Sequence, residues 1–486
     1  MDLGRNVIRM FFEKPIFDKI QEDFTQYLIV AHCHDILIPN ISDVQNILHS
    51  FFDDDRVVID LKIDEGDPII ISSCDEKGSI AQFLMDLQAE MEVKDEDSIF
   101  KVTVTVSKNI TKGRISVYCF EKFVEYLNGI TLVGILTGFR KVLLGQENVS
   151  FILLDCKDEF YTDTFYFSSE PGHRSPDIVR QDVLESANKI RYFLKASEYS
   201  FIPEDFMLKK RSRNAKINTI MDKLALVYSL VYLVDYSDII NGNNVKYRCC
   251  GYRAIEDTID YKNLDSEAAL NIYMIYKWVY TEGNLIDKAG IARNVMTLYA
   301  NNHTLLDVTE KVYDSIKSNY AIYLKENLQQ YIGIKNQITQ LIYEMSQRTN
   351  GVIDTFTDVF SSNIKWLFTF YISVLIFNTL ATGRLQNIFT NDIAYISFGI
   401  LGVSIVLLIT SSRQSQLKKS RFIEQYNDFK QYYDDLLCKD DIDRIFQYDQ
   451  PQETNLKYIN RRILECQIAW IITIIILGIL TITLMH

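Results

Sequence analysis

Three stretches in the last quarter of the chain carry no formal charge, and each is about as long as a bilayer is thick. They are WLFTFYISVLIFNTLATG at 366–383, IAYISFGILGVSIVLLITSS at 393–412 and IAWIITIIILGILTITLM at 468–485. At about 1.5 Å per helical residue, such runs match a hydrocarbon layer of roughly 30 Å. One run alone could be a buried helix of a soluble core, but three clustered together predict membrane helices, over 364–383, 393–412 and 466–486. Inside a bilayer every backbone polar group needs an internal partner, so these segments are expected to be helical throughout.

Positive charge sets the expected orientation. The long connection between the second and third runs carries Arg413, Lys418, Lys419 and Arg421 near one end and Lys457, Arg461 and Arg462 near the other. The short link RLQNIFTND carries only Arg384. The long connection is therefore expected in the cytoplasm and the short link outside. The N-terminus, MDLGRNVIRMFFEKPIFDK, has no apolar signal-like region, which predicts the same compartment for the residues before Lys365. Together these readings predict a multi-pass protein of a cell's inner membrane, with its C-terminus on the outer side.

A seam of period 3.5 approaches the first run. Leu328, Tyr331, Ile338, Ile342, Met345, Val352, Phe356 and Val359 fall on steps of three and four or on whole heptads, and no proline occurs from Ser315 to Gly383. Gly351 costs about 1 kcal/mol without breaking a helix. One helix from about Asp314 to about Ala381 is expected, with a stalk over 314–363. A second seam, Phe422, Tyr426, Phe429, Tyr433 and Leu436, leads into DDLLCKDDIDR and Pro451, which predicts a cytoplasmic helical hairpin over 413–464. The seams specify partner helices but not whether those belong to the same chain or to another copy.

Polar and small residues punctuate the first two runs: Thr369, Ser373, Asn378 and Thr379, then Ser397, Gly399, Gly402 and Ser404. Such residues let helices approach and hydrogen-bond across an interface, and they are also candidates for a weakly polar pore wall. Neither run contains a carboxylate or a lysine, which argues against proton-coupled transport.

The rest of the chain reads as soluble, with 48% apolar and 24% charged residues overall. β-Branched, partly alternating segments at 57–64, 68–74, 100–108, 114–120 and 149–155 are predicted strands. SIAQFLMDLQAEME and EKFVEYLNGITLVGIL have helical spacing. An α+β cytoplasmic domain over 1–200, a candidate sensor, is expected, followed by a helical connector over 201–313. In the connector, 214–240 reads as helix, VKYRCCGYRAI as a short β-hairpin, and LALVYSLVYLV as core, being too short to span.

No motif of catalysis stands out. GxSxG, Walker A and GxGxxG after a strand are all missing, so no catalytic residue, cofactor or metal is assigned. AHCHD groups His32, Cys33, His34 and Asp35, an incomplete metal set with no second cluster to complete it. Asp53, Asp54 and Asp55 read as a solvated turn, and His173 as a turn histidine. The net charge of −13 disfavours binding of a polyanion by the whole surface. One local exception is MLKKRSRNAK, where Lys209, Lys210, Arg211, Arg213 and Lys216 are candidates for phosphate binding, with Arg140, Lys141 and Arg174 as weaker companions. A solvated basic face is the alternative.

A soluble sensor, a helical connector and C-terminal spans at 366–383, 393–412 and 468–485 beneath a seam from Leu324 to Val359 resemble the transmembrane effectors of bacterial anti-phage defence, among them the Hailong-type channel effector. The resemblance implies a homo-oligomer, taken as a tetramer, that forms a gated ion channel in the membrane lipid and acts by abortive infection. It also implies control by a nucleotide or oligonucleotide made by a partner nucleotidyltransferase. It transfers no functional residue. The competing readings are a membrane-anchored interaction protein without a pore and a membrane-tethered nuclease or nucleotide-processing enzyme.

Overall fold

The computed structural model describes residues 3–75, 77–95, 97–110, 113–170, 172, 177–300, 304–383, 388–433 and 439–485. The expectations for His173, Arg174, Arg384, Leu436 and His486 lie outside these residues. The chain divides into two compact units, Met1–Ile322 and Tyr323–His486. An N-terminal α+β region, a mainly helical region with long helices and three C-terminal helices of spanning length make up the fold.

The first unit starts with α1 (Leu3–Phe11), β1 (Ile16–Glu22), β2 (Gln26–Cys33), α2 (Ile41–His49), β3 (Arg56–Ile63), β4 (Ile69–Ser72), α3 (Lys77–Val93) and β5 (Phe100–Ser107). The strands form an antiparallel sheet in the order β1-β2-β5-β3-β4. FKVTVTVS alternates as a half-buried strand should: Phe100, Val102, Val104 and Val106 are buried together with Val7 and Phe11 of α1 and Leu87 of α3. Next come β6 (Arg114–Val117), α4 (Phe120–Gly129), α5 (Leu132–Leu143), β7 (Val149–Leu153), β8 (Phe160–Tyr161) and β9 (Phe165–Ser168), forming a sheet in the order β6-β7-β9-β8 in which β6, β7 and β9 are parallel.

The remainder holds α6 (Arg180–Ala187), β10 (Tyr192–Phe193), α7 (Ala215–Leu233), β11 (Tyr236–Ile240), β12 (Asn244–Cys250), β13 (Ala254–Asp260), α8 (Ala269–Tyr280) and α9 (Leu285–Tyr299). Residues 236–240, expected as helix, are instead the strand β11. Its Ser237 and Ile239 point inward while their neighbours do not, and it pairs with both β10 and β12. LALVYSLVYLV is buried core on α7. Arg293 of α9 closes the end of α7: its guanidinium donates to the carbonyls of Leu233 (2.8 Å), Val234 (3.1 Å) and Ile190 (2.5 Å) and pairs with Asp235 (2.7 Å). It thus serves carbonyls that a helix end leaves without internal donors. One apolar cluster runs from Phe24 to Ile316, straight across residue 200.

Two buried polar knots join the first sheet to β6. Glu22 and Lys108, side chains with no exposure, pair at 2.6 Å. Glu22 also accepts from the backbone N–H groups of Tyr118 (2.7 Å) and Cys119, and Lys108 donates to the Asp23 carbonyl at 2.8 Å. Asp55 corrects the expectation of a solvated turn: it is buried and accepts from Ser116 Oγ, from the Tyr118 hydroxyl at 2.7 Å and from the Asn109 N–H at 2.9 Å.

The second unit is built from α10 (Glu310–Thr382), which begins within the first unit, with α11 (Asn391–Tyr432), α12 (Lys439–Ile445) and α13 (Gln450–Thr483). α10, α11 and α13 are long and apolar enough to cross a membrane. The two predicted seams pack on each other within the chain: Ile334, Ile338, Ile342 and Met345 of α10 meet Tyr426 and Phe429 of α11 and Tyr433 at its C-cap, with Ile442 and Phe446 closing the cluster. Before α13 the chain turns through Gln447, Tyr448 and Asp449 with φ of 50°, 53° and 61°, and Asp449 is secured by the Tyr426 hydroxyl at 2.7 Å and Lys430 at 2.9 Å.

Candidate functional site

Within the second unit, short polar bonds tie α10, α11 and α13 at several heights. Ser404 Oγ donates to Asn363 Oδ1 at 2.7 Å and accepts from the Trp470 indole N–H at 2.9 Å, so one hydroxyl links all three helices. Farther along, the Tyr371 hydroxyl and Thr481 Oγ1 lie 2.8 Å apart, and Gln467 donates to Ser412 Oγ at 2.8 Å. Phe356 and Phe360 of α10 pack against the Trp470 ring. The apolar wall between these rungs is Leu367, Tyr371, Phe389, Leu401 and Leu477.

These bonds fix the register of the helices. Ser412 beside Gln467 and Lys419 beside Asn460 set the apolar run of α11 level with that of α13. α10 is offset. With Asn363 opposite Ser404, equal rise along antiparallel helices puts about residues 355–374 of α10 level with 393–412. The α10–α13 contacts Phe360–Trp470 and Tyr371–Thr481 give the same alignment. The apolar run 366–383 thus reaches about nine residues, or about 14 Å, past the level where the apolar run of α11 begins at Ile393. The segment held alongside the other two runs contains Asp358, Ser361, Ser362, Asn363 and Lys365.

Asn363 faces the bundle. Asp358, Ser362, Lys365 and Thr369 fall on the other side of α10 within about a third of its circumference, and all four are exposed. At a helix centre an aspartate or lysine facing lipid costs about 2.5–3.5 kcal/mol on an insertion scale. A groove of about 590 Å³ opens beside this stripe, lined by Asp358, Ser362, Asn363, Trp366, Val403 and Leu407.

The sequence-selected span residues therefore separate. Ser404 is a hub of the bundle. Ser397 is buried and spends its hydroxyl on the Ile393 carbonyl at 2.8 Å. Thr369 is exposed on the polar stripe, whereas Ser373 and Asn378 are half-buried. Gly399 and Gly402 are exposed, with open space where a Cβ would stand, so no neighbour within the chain uses their smallness. Asn363, Trp470, Asp358 and Lys365 were missed. Asn363 and Lys365 sit just outside the first uncharged run, and only the helix register brings them to its depth.

In the first unit the basic cluster is occupied by carboxylates. Lys209 pairs with Asp163 and Asp177, Lys210 with Glu159, and Arg211 with both oxygens of Asp222 at 2.9–3.0 Å. Burial alone would lower the Lys209 pKa, but the hydrogen bonds it donates to Asp163 and Asp177 hold it above the usual lysine value. The Arg213 N–H donates to Asp158 at 3.1 Å, and Lys216 sits on the first turn of α7, its N–H capped by Asn214 at 2.9 Å. Beside Asp163 lies a cleft of about 400 Å³ whose wall includes Thr164, Arg180 and Ile202. Arg180 is spent on fully buried Asp205, at 2.5 and 2.7 Å, and on Thr164 at 3.0 Å. Of the AHCHD group, His32 Nδ1 lies 2.8 Å from Asp18.

No known family, curated protein or solved structure matches this chain.

Proposed function

We propose that this protein is an oligomeric membrane effector of the inner membrane, in which a cytoplasmic sensor controls an ion-conducting pore, and that it acts in anti-phage defence by dissipating ion gradients. The observation that carries the reading is α10, one helix uninterrupted from Glu310 to Thr382, which joins the last part of the α+β unit to a bundle of three helices of spanning length. Such a helix is a suitable two-state element, because a signal that rotates or shifts it alters the packing of the bundle directly. The lysines and arginines that flank the apolar runs within α11 (Arg413, Lys418, Lys419, Arg421) and α13 (Lys457, Arg461, Arg462) support placing the connection between those runs and the first unit in the cytoplasm. The trigger is an anionic, nucleotide-like signal, and it has to compete with Asp163, Asp177, Glu159 and Asp222 for the basic cluster.

The test is potassium efflux from liposomes containing the full-length protein, compared with protein ending before α11, each with and without extract of infected cells. Efflux that requires α11 and α13 supports the pore. Tight liposomes with correctly inserted protein under every condition would refute it.

A further inference from the structure

The register of α10 bears on which residues any ion would meet. If the membrane is level with the matched apolar runs of α11 and α13, then the exposed stripe of α10 at that depth carries Asp358, Ser362, Lys365 and Thr369 before it reaches Ile372, with exposed Trp366 at its flank. A carboxylate and an ammonium facing acyl chains are strongly disfavoured, so the stripe has to meet either protein or water. Among the described residues, α10 packs on α11 and α13 chiefly through Phe356, Phe360, Asn363, Leu367 and Tyr371 on the opposite side; on the flank of the stripe Lys418 of α11 reaches Thr355 Oγ1 at 3.5 Å, and Asp358 and Ser362 border the groove against Val403 and Leu407.

Several copies arranged around an axis with these stripes inward remove the charges from lipid and enclose a wet path in one arrangement. The same face carries exposed Gln340, Glu344, Gln347 and Asp354 before the spanning segment and no lysine or arginine among them. On α10 this face carries Glu344, Asp354 and Asp358 against the ammonium of Lys365, and Lys418 of α11 brings a second ammonium to Thr355. The Lys365 side chain leans toward the helix N-terminus, as helical side chains do, and so toward the Asp358 level. Lined this way, the path concentrates cations at the end where Asp354 and Asp358 stand.

We propose that the stripe Asp358, Ser362, Lys365 and Thr369 of α10, contributed by each copy of the chain, is the wall of a water-filled path selective for small cations, with Asp358 the residue that sets charge preference. This rests on the pore reading above and adds which helix lines the path and what it carries.

The experiment is the reversal potential of full-length protein in a planar bilayer under a tenfold potassium chloride gradient, with and without extract of infected cells on the side of the first unit. Wild type should approach the cation limit of about 59 mV per tenfold gradient for a univalent ion. D358N should move the reversal potential toward zero and D358K past it toward chloride. K365Q should move it closer to the cation limit and guards against a D358K protein that fails to insert. Currents whose reversal potential is the same in wild type, D358N and K365Q, or a wild type that prefers chloride, would overturn this wall while leaving the pore standing. No current from inserted wild-type protein would overturn the pore and the wall together.

Discussion

Replacing Lys108 by methionine keeps the apolar stem and removes the cation from a site with no solvent access. Glu22 would then retain only the N–H groups of Tyr118 and Cys119 as partners. In the wild type, burial raises the Glu22 pKa, while Lys108 and the two N–H groups pull it back down. Breaking a fully buried pair from one side costs about 3–5 kcal/mol, because the remaining charge is uncompensated. At about 1.4 kcal/mol per tenfold, local opening of the first sheet should increase by roughly two to four orders of magnitude. Hydrogen exchange in full-length protein, read on peptides covering β2 and β5 and referenced to β12 and β13, measures this directly. The sign with pH follows from the raised pKa. The folded state keeps the Glu22 proton to higher pH than the unfolded chain, so stability falls as pH rises through the window above the ordinary glutamate value. Loss of Lys108 extends that window upward, so the defect should be largest near pH 8 and shrink toward pH 5. E22Q/K108M should recover most of the loss, because no charge is left buried. Single-variant exchange within about threefold of wild type at pH 8, or a double variant as open as the single, would refute the reasoning.

Two further outcomes are expected in the first unit. Burial raises Glu204, hydrogen-bonded to the Tyr276 hydroxyl at 2.9 Å, to a pKa of about 7, so it should disfavour the folded state as pH rises from about 4.5 to 7; E204Q should flatten the pH dependence of the melting temperature over that window. R293M should leave the carbonyls of Leu233, Val234 and Ile190 without their donor and destabilise the end of α7 by about 3 kcal/mol or more, read as faster exchange at 230–237 than in β5.

The spans, the stalk and the alternating strands β3 and β5 were legible because each follows from a period within one segment. The strand β11 was not, since DYSDII trails a strong apolar helix and its strand character lies in its pairing with β12. Asp55 looked solvated beside Asp53 and Asp54, yet β6, some sixty residues later, brings Ser116 and Tyr118 to it. The basic cluster suggested open charge because its carboxylate partners, from Glu159 to Asp222, are dispersed along the chain. The polar stripe of α10 was hidden by its boundary: Lys365 ends an uncharged run, and only Asn363 against Ser404 shows that the run is not what stands beside α11.

The apolar cluster that extends from Phe24 to Ile316 also orders events during synthesis. It cannot close until residue 316 has been made, and the first uncharged run starts about fifty residues later. At roughly 5–20 residues per second, about 3–10 s of translation separate the two. The ribosome has therefore made a complete first unit, with α9 in hand to seal α7, before the first apolar run of spanning length is added.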